Sequence, residues 1–569
     1  MTDLSLLGPA QRETALARMA DEPFDVAIVG GGSTGMGAAL DAASRGLSVA
    51  LIEQRDIASG TSSRSSKLIH GGLRYLERFD FRLVREALTE RGLLLTKLAP
   101  HLVYPVPFIF PFRHRVWERA YVAAGVAVYD ALAASASNPL PRQRQLTRRS
   151  MLEAFPGLDP TAFVGGLRYY DAGTDDARFV VALARTAALE GAAIATSTRA
   201  VGVPRQGDRV TGIAGVDLES GREVMIHADV VINATGVWTD DVERLVDDPV
   251  RDVTASKGVH LVVRKDRIES SMGLITKTKK SVLFIIPFGE FWLIGTTDTA
   301  WTLDLAHPAA CTGDIDYLLD QVNRLLAESL TRDDVVGVYA GLRPLVAGSQ
   351  GATAQLSREH AISHPAPGMV TIAGGKFTTY RVMASDIVDA ALAERGGTMP
   401  VSRTEDVPLV GSEGWTKRWE DRARTAEDRG FPVATIEHLL RRHGSDTDRI
   451  LDLVDADPDL GERLDPEAPY LRVELVWAAR CEGALHLDDL LTRRTRLSIE
   501  VRDRGVVAAA EAARLVAPVL GWDEATIARE IEHYEARVAA EIESQLQPND
   551  HTADAARMGA PDVRRMGRA

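Results

Sequence analysis

Two stretches of this 569-residue chain carry residue types that could do chemistry. The first is Gly30-x-Gly32-x-x-Gly35, which follows the apolar run "FDVAIVG" and opens "STGMGAALDAASRG". In such a pattern the first glycine permits a tight turn, the second lets backbone approach a pyrophosphate, and the third lets a helix pack close to its strand. The helix N-terminus then offers free amides and the positive end of its dipole to phosphate oxygens. Glu53 ends the next apolar run, "SVALIE", where a carboxylate accepts hydrogen bonds from an adenosine ribose and opposes a 2′-phosphate. The second stretch is Ser65 to Glu77, "SSKLIHGGLRYLE", which sets Lys67, His70 and Arg74 around Gly71-Gly72 on a chain of net charge −14.

These residues need a strand, a turn and a helix to position them. Phe24 to Gly32, the small-residue helix after it and Ser48 to Glu53 form a βαβ unit. Two more strands end in glycine before a helix, in "ADVVINATGVWTDDV" (228–242) and "GMVTIAGGKFTTYRVMASDIVDAAL" (368–392). Three such turns, more than 100 residues apart, predict one nucleotide-binding domain assembled from distant pieces. The fingerprint alone fits NAD or FAD. The extra turns favour FAD, whose extended form takes backbone contacts from several places, including a helix N-terminus near the flavin pyrimidine. Between the pieces, "PHLVYPVPFIFPFRH" (100–114) and alternating strands at 259–263 and 282–297 predict an antiparallel substrate-side layer. From about residue 405 helices with Gly or Pro stops take over. The expected division is a discontinuous cofactor domain at 24–99, 165–250 and 336–395, a substrate domain at 100–164 and 251–335, and a helical domain at 405–545. Residues 1–23 read as a polar arm with at most one short helix, and 546–569 as a mobile polar tail.

Composition bounds the function class. At about 150 residues per domain the length allows three or four units, and 45% hydrophobic with 26% charged residues is ordinary globular composition. The acidic balance argues against nucleic-acid binding. Cys311 and Cys481 stand in no metal-ligand spacing, no metal is expected, and a reducing cytoplasm is the simplest setting. The N-terminus lacks the pattern of a signal peptide, and no run reaches the roughly 18–20 apolar residues that span a bilayer.

The stretches "DVAIVGGGSTGMGAALDAASRGLSVALIE", "ASGTSSRSSKLIHGGLRYLE", "INATGVWTDDV", "GTTDT", "GLRPL", "SREH", "AGGKFTTYR" and, further on, "ARCEGALHLDDLLTRRTRL" (479–497) are similar to the FAD-dependent glycerol-3-phosphate dehydrogenase family. The resemblance covers the chain from about 24 to 530. It implies an α/β fold: an FAD-binding, Rossmann-like domain of the glutathione-reductase type, a mixed-sheet substrate domain and an all-α C-terminal domain. It further implies oxidation of sn-glycerol 3-phosphate to dihydroxyacetone phosphate, with electrons passing to a membrane quinone. The expected setting is a peripheral protein on the inner face of the cell membrane, and the resemblance allows a homodimer. No EF-hand loop extends the chain, which disfavours the calcium-regulated mitochondrial branch. An oxygen-using oxidase is the nearest alternative, an amine or amino-acid oxidase a more distant one, and a scaffold without working flavin a third.

Carried onto this sequence, the resemblance places FAD against Gly30, Gly32, Ser33, Gly35 and Glu53, against Thr61, Ser62, Ser63, Ser65 and Ser66, and against Ala234, Thr235, Gly236, Gly375, Lys376, Phe377 and Thr378. A dianionic phosphate ester calls for fixed cations, and the planar fork of arginine suits it. Arg74, Arg358 and Lys376, with Tyr75 and His260, are the expected substrate contacts. Arg343 in "GLRPL" is expected near the reacting carbon to stabilise developing alkoxide charge, and it is too basic to accept a proton. His70, His260 and Lys376 are left for proton handling, and His70 is preferred because it sits inside the specific motif. Arg64 departs from the small residue expected in the serine-rich loop. It reads, with Lys67 and Arg78, as a charge facing water. Between Arg113 and Arg149, basic residues with Trp117 and Tyr121 could meet anionic lipid.

Overall fold

The computed structural model describes residues 7–71, 81–114, 140–246, 253–278, 282–346, 360–397 and 399–564. Arg74, Tyr75, Arg78, Trp117, Tyr121 and Arg358 lie outside them.

Strand β1, Phe24–Val29, is apolar apart from the half-buried Asp25 near its start, because both its faces are covered. Val26 and Ile28 enter one core with helix α2, Ser33–Ser44, while Ala27 and Val29 enter another with helix α1, Pro9–Asp21. The polar-arm reading of the N-terminus is therefore corrected. Leu16 and Met19 of α1 are buried on the sheet, and Arg12 reaches Asp217 at 2.5 Å and the carbonyl of Thr196 at 2.8 Å. Mostly Arg, Glu and Ala, this segment hides a narrow apolar stripe that composition does not reveal.

Strand β2, Val49–Ile52, pairs parallel with β1 on one side, and Glu223–Asn233 pairs parallel with it on the other. Ala193–Ala195 and Met369–Gly374 extend the sheet at its two sides, again in parallel. Helices Asp176–Leu189 and Tyr380–Arg395 pack beside α2 through Phe179, Val180, Ile387 and Val388. This is a doubly wound sheet whose neighbouring strands come from residues far apart in sequence.

A second, mixed sheet holds Tyr104–Phe112, Val253–Arg264, Val282–Phe288 and Phe291–Gly295, as expected for a substrate-side layer. Strand pairing moves two of the expected borders. Gly165–Gly173 pairs with Tyr104–Phe112, and Val335–Val346 pairs with Val253–Arg264, so both belong to this sheet rather than to the cofactor sheet. Its core, around Trp292, Ile294, Val259 and Leu261, is closed by helix Thr312–Asn323 through Leu318 and Val322.

The C-terminal part is helical, with Arg472–Cys481, Val506–Leu520 and Glu524–Leu546 around Leu475, Leu491, Ala513 and Tyr534. The motif at 479–497 faces the cofactor domain. Arg493 and Arg494 close on buried Asp56, and Arg496 on Asp175 and Asp176. The expectation of a mobile tail after Gln547 is also corrected. Helix Asp550–Arg557 buries Ala553, and Arg564 is 5% exposed, bonding to Asp489 at 2.9 Å and to Ser197 at 2.7 Å. Lys257 meets both Asp314 and Asp550, filling the cluster of Cys311, Asp314 and Asp550 that, among the described residues, could otherwise attract a cation.

Candidate active site

A cavity of about 580 Å³ runs from Glu53, over the N-terminus of α2, to His260 and Arg343 at the second sheet. At its first end, α2 begins after Gly32, which has no side chain of its own to cap it, and Gly32, Ser33 and Thr34 line the cavity. Gly30 has φ +116°, and a Cβ there would lie 2.6 Å from the carbonyl oxygen of Ala234. Only glycine allows that turn to meet the "NATG" turn. Gly35 lies outside the cavity lining and lets α2 pack directly over Gly30. Glu53 accepts from the amides of Gly31 at 2.7 Å and Arg55 at 2.8 Å. Burial raises its pKa against those bonds. Ser62 accepts from the amide of Ser33 at 3.0 Å, which locks the serine-rich loop onto the helix start.

The loop then turns through Lys67, whose φ of +55° is uncommon outside glycine. Lys67 does not face water: it is 1% exposed and donates to Asp176 at 2.7 Å and to the carbonyl of Ser63 at 3.1 Å. Burial, then Arg496, depresses its pKa. Ser65 donates to the same Asp176 at 2.7 Å, so this ion pair shapes the loop. Arg64 is half-buried, lines the cavity and donates to the carbonyl of Ala306, which also corrects its solvent-facing reading. Ser63 is buried outside the lining. Thr61 lines the cavity while its hydroxyl bonds the carbonyl of Leu342.

At the far end, Ser66 Oγ lies 2.9 Å from His260 Nε2. The His260 ring stacks on Tyr339 at 4.8 Å and 9°. Its Nδ1 is buried without a hydrogen-bond partner among the described residues. Burial, then Arg343 and Lys67, lowers the pKa of His260 to about 3, so the ring is neutral. Arg343 donates to Thr296 Oγ1 at 3.0 Å and to the carbonyl of Thr297 at 3.3 Å, above Gly258, where any side chain would collide with the guanidinium. His70 lines the cavity too, and its backbone exchanges hydrogen bonds with Thr378 Oγ1 at 3.2 and 3.3 Å.

The structure thus gathers His70, His260, Arg343, Gly375, Lys376 and Phe377 around one space, with Ala234, Thr235, Gly236, Ser65 and Ser66 along it. Thr378 is buried outside the lining and ties two turns together. Sequence reading passed over Tyr339, Thr296, Asp176 and Asp171. Asp171 accepts from the Gly71 amide at 2.8 Å and from Arg91 at 2.6 Å, holding the backbone at Gly71. The "DAGTDDAR" cluster of acids at 171–178 was the available signal. An extended dinucleotide with a flavin fits this cavity: amides and Glu53 at one end, glycine turns along it, and uncharged His260 beside Arg343 at the other.

Comparison with known proteins agrees with that geometry. Residues 25–381 match the family described as FAD dependent oxidoreductase, and residues 402–527 match the C-terminal domain of alpha-glycerophosphate oxidase. The chain is 53% identical over 559 residues to glycerol-3-phosphate dehydrogenase 2 of Mycobacterium tuberculosis, covering 98% of this chain and 95% of that one. It is 36% identical over 544 residues to the human mitochondrial glycerol-3-phosphate dehydrogenase, covering 91% of this chain and 73% of that one. The crystal structure of the Bacillus halodurans glycerol-3-phosphate dehydrogenase, complexed with FAD, superposes with a TM-score of 0.76 at 27% identity, over 94% of this chain and 98% of that one. With a family model matching residues 25–381 and 53% identity to a glycerol-3-phosphate dehydrogenase over 98% of its length, the chain belongs to the FAD-dependent glycerol-3-phosphate dehydrogenase family.

Proposed function

We propose that the protein oxidises sn-glycerol 3-phosphate at C2 to dihydroxyacetone phosphate and passes the electrons to a membrane quinone. The observation that carries this reading is the far end of the cavity, where a neutral, buried His260 with an unpartnered Nδ1 sits beside the guanidinium of Arg343. FAD bound along the glycine turns would supply the redox chemistry, taking up the C2 hydrogen with its two electrons. The remaining task is to remove the O2 proton while negative charge grows on that oxygen. His260 Nδ1 offers the acceptor, with Ser66 and Tyr339 fixing the ring, and Arg343 stabilises the developing charge. His260 is held neutral by burial and the cations around it. A bound dianion offsets those cations and raises the ring's proton affinity when the proton has to move. Lys376, at the turn before Tyr380–Arg395, adds a cation to the same space, and Arg74, Tyr75 and Arg358 are proposed to complete the phosphate site.

Peripheral attachment at the inner membrane face is part of the proposal. It is supported by the exposed Arg142, Arg144, Arg148 and Arg149, and among the described residues no helix is long and apolar enough to cross a membrane. The deciding experiment adds glycerol 3-phosphate anaerobically to the FAD-loaded protein. Bleaching of the flavin band is the expected result, and an unchanged spectrum would reject the substrate. Reoxidation by a quinone analogue faster than by air would then support the quinone, and the reverse order would make the protein an oxidase.

A further inference from the structure

Behind the serine-rich loop lies a second, smaller cavity of about 60 Å³ where all three parts of the chain meet. Its charges are unevenly paired. Four of the six arginines that line it have committed carboxylates: Arg55 meets Asp562 at 3.0 Å, Arg493 meets Asp56 at 2.5 Å, Arg537 meets Asp488 at 2.7 Å and Arg564 meets Asp489 at 2.9 Å. The lining carboxylates are engaged in turn. Asp488 serves Arg493 and Arg537, Asp562 serves Arg55, and Glu530 accepts from His486 and from the Leu487 amide.

Arg64 and Arg557 remain. Their hydrogen bonds go to uncharged partners, the carbonyl of Ala306 at 3.1 Å and His307 Nδ1 at 3.3 Å, and among the described residues neither has a carboxylate within ion-pair distance. Arg557 is 6% exposed. Two guanidiniums enclosed around one small cavity without a contacting carboxylate are costly, and the more distant Asp488 and Glu541 offset that cost only in part. Their proton affinity reflects it: burial, then Arg493 and Arg557, lowers Arg64 to about 10, and burial likewise lowers Arg557. Both forks present donors of the kind that match oxyanions.

We propose that this cavity is an anion site, binding one small tetrahedral oxyanion of the phosphate class between Arg64 and Arg557. Each water needs about 10–15 Å³ of such space, so the cavity has room for a phosphate group or a few waters and none for a nucleotide. Arg64 lines the cofactor cavity as well, and Arg557 belongs to the C-terminal helix. A bound oxyanion therefore joins the tail to the loop that carries Ser62 and Ser66. Its source is either free inorganic phosphate or the phosphoryl group of a small ester.

The test is equilibrium dialysis of radiolabelled inorganic phosphate against the FAD-loaded full chain in low-salt, chloride-free buffer, with and without saturating glycerol 3-phosphate under anaerobic conditions. In the wild type one more phosphate per chain is expected than in Arg557→Gln, whose affinity at this site falls about tenfold or more, as for loss of a charged hydrogen bond. If the extra phosphate survives addition of glycerol 3-phosphate, free phosphate is the occupant, and if it is displaced, the ester is. Equal phosphate retention by both proteins overturns the proposal. Should Arg557→Gln fold poorly, wild-type crystals soaked in tungstate decide the matter. An anomalous peak between Arg64 and Arg557 supports the site, and none there removes it.

Discussion

His260 and His70 show how little a residue's type says about its task. His70 draws attention in the sequence because it stands beside two glycines in a basic stretch. His260 sits in "GVHLVV", on an apolar strand, and reads only as one of several substrate contacts and proton-handling candidates. Strand register gives His260 a defined setting: Val253–Arg264 pairs with Val335–Val346, which brings His260 opposite Tyr339 and stacks the rings, while the serine-rich loop supplies Ser66. Nothing local in the sequence could reveal that pairing, since Ser66 and His260 are 194 residues apart. If His260 accepts the proton, His260→Gln should slow flavin reduction by about 10²–10⁴-fold with FAD content unchanged. In rapid-mixing experiments His70→Asn should retain far more of the rate. A full rate in His260→Gln with loss in His70→Asn would reverse the assignment. Because burial and the neighbouring cations lower the pKa of His260 to about 3, kcat/KM should show no His260 ionisation near pH 6.5, once the substrate phosphate's own ionisation at about 6 is accounted for.

At the scale of elements, the parts that were legible are those whose signal is local. A strand, glycines and a helix start must be contiguous to work, so the fingerprint, the "NATG" turn and the "AGGKFTT" turn could all be read from single stretches. The borders at 165 and 336 could not, because Gly165–Gly173 and Val335–Val346 are assigned by their partners and carry no mark of which sheet they join. Glu53 is the test of the local logic. Its two oxygens accept from the Gly31 and Arg55 amides, bracing the turn beside α2. Glu53→Gln replaces an acceptor with a donor facing an amide, so FAD affinity should fall about tenfold or more, measured by flavin-fluorescence titration of the apoprotein. Unaltered affinity would separate the turn from cofactor binding.

For the molecule as a whole, the feature hardest to foresee is the ionic seam between cofactor and helical domains. The "HLDDLLTRRTR" run looks like a solvated charged face, yet Arg493, Arg494 and Arg496 are buried with Asp56, Asp175 and Asp176 as partners more than 300 residues earlier. His486 pins the same seam, bonded to Glu219 at 2.9 Å and Glu530 at 3.0 Å. Burial and Arg564 work against its charge, but the two carboxylates prevail and raise its pKa to about 9. A raised histidine contributes its full stability below its unfolded pKa of about 6.5 and loses it as pH climbs through about 9. The thermal midpoint should therefore decline between these values, and His486→Gln should flatten that decline in calorimetry. An identical slope in both proteins would count against the pin. The sheet that holds the cofactor has a different kind of consequence, one of time. Its central β1 pairs with Glu223–Asn233, which in turn pairs with Met369–Gly374. A nascent chain several hundred residues long still exposes an apolar open edge, and contacts this distant in sequence close slowly. The flavin pocket is thus among the last things the chain can make, and a fragment stopping short of residue 369 has no complete sheet on which to build it.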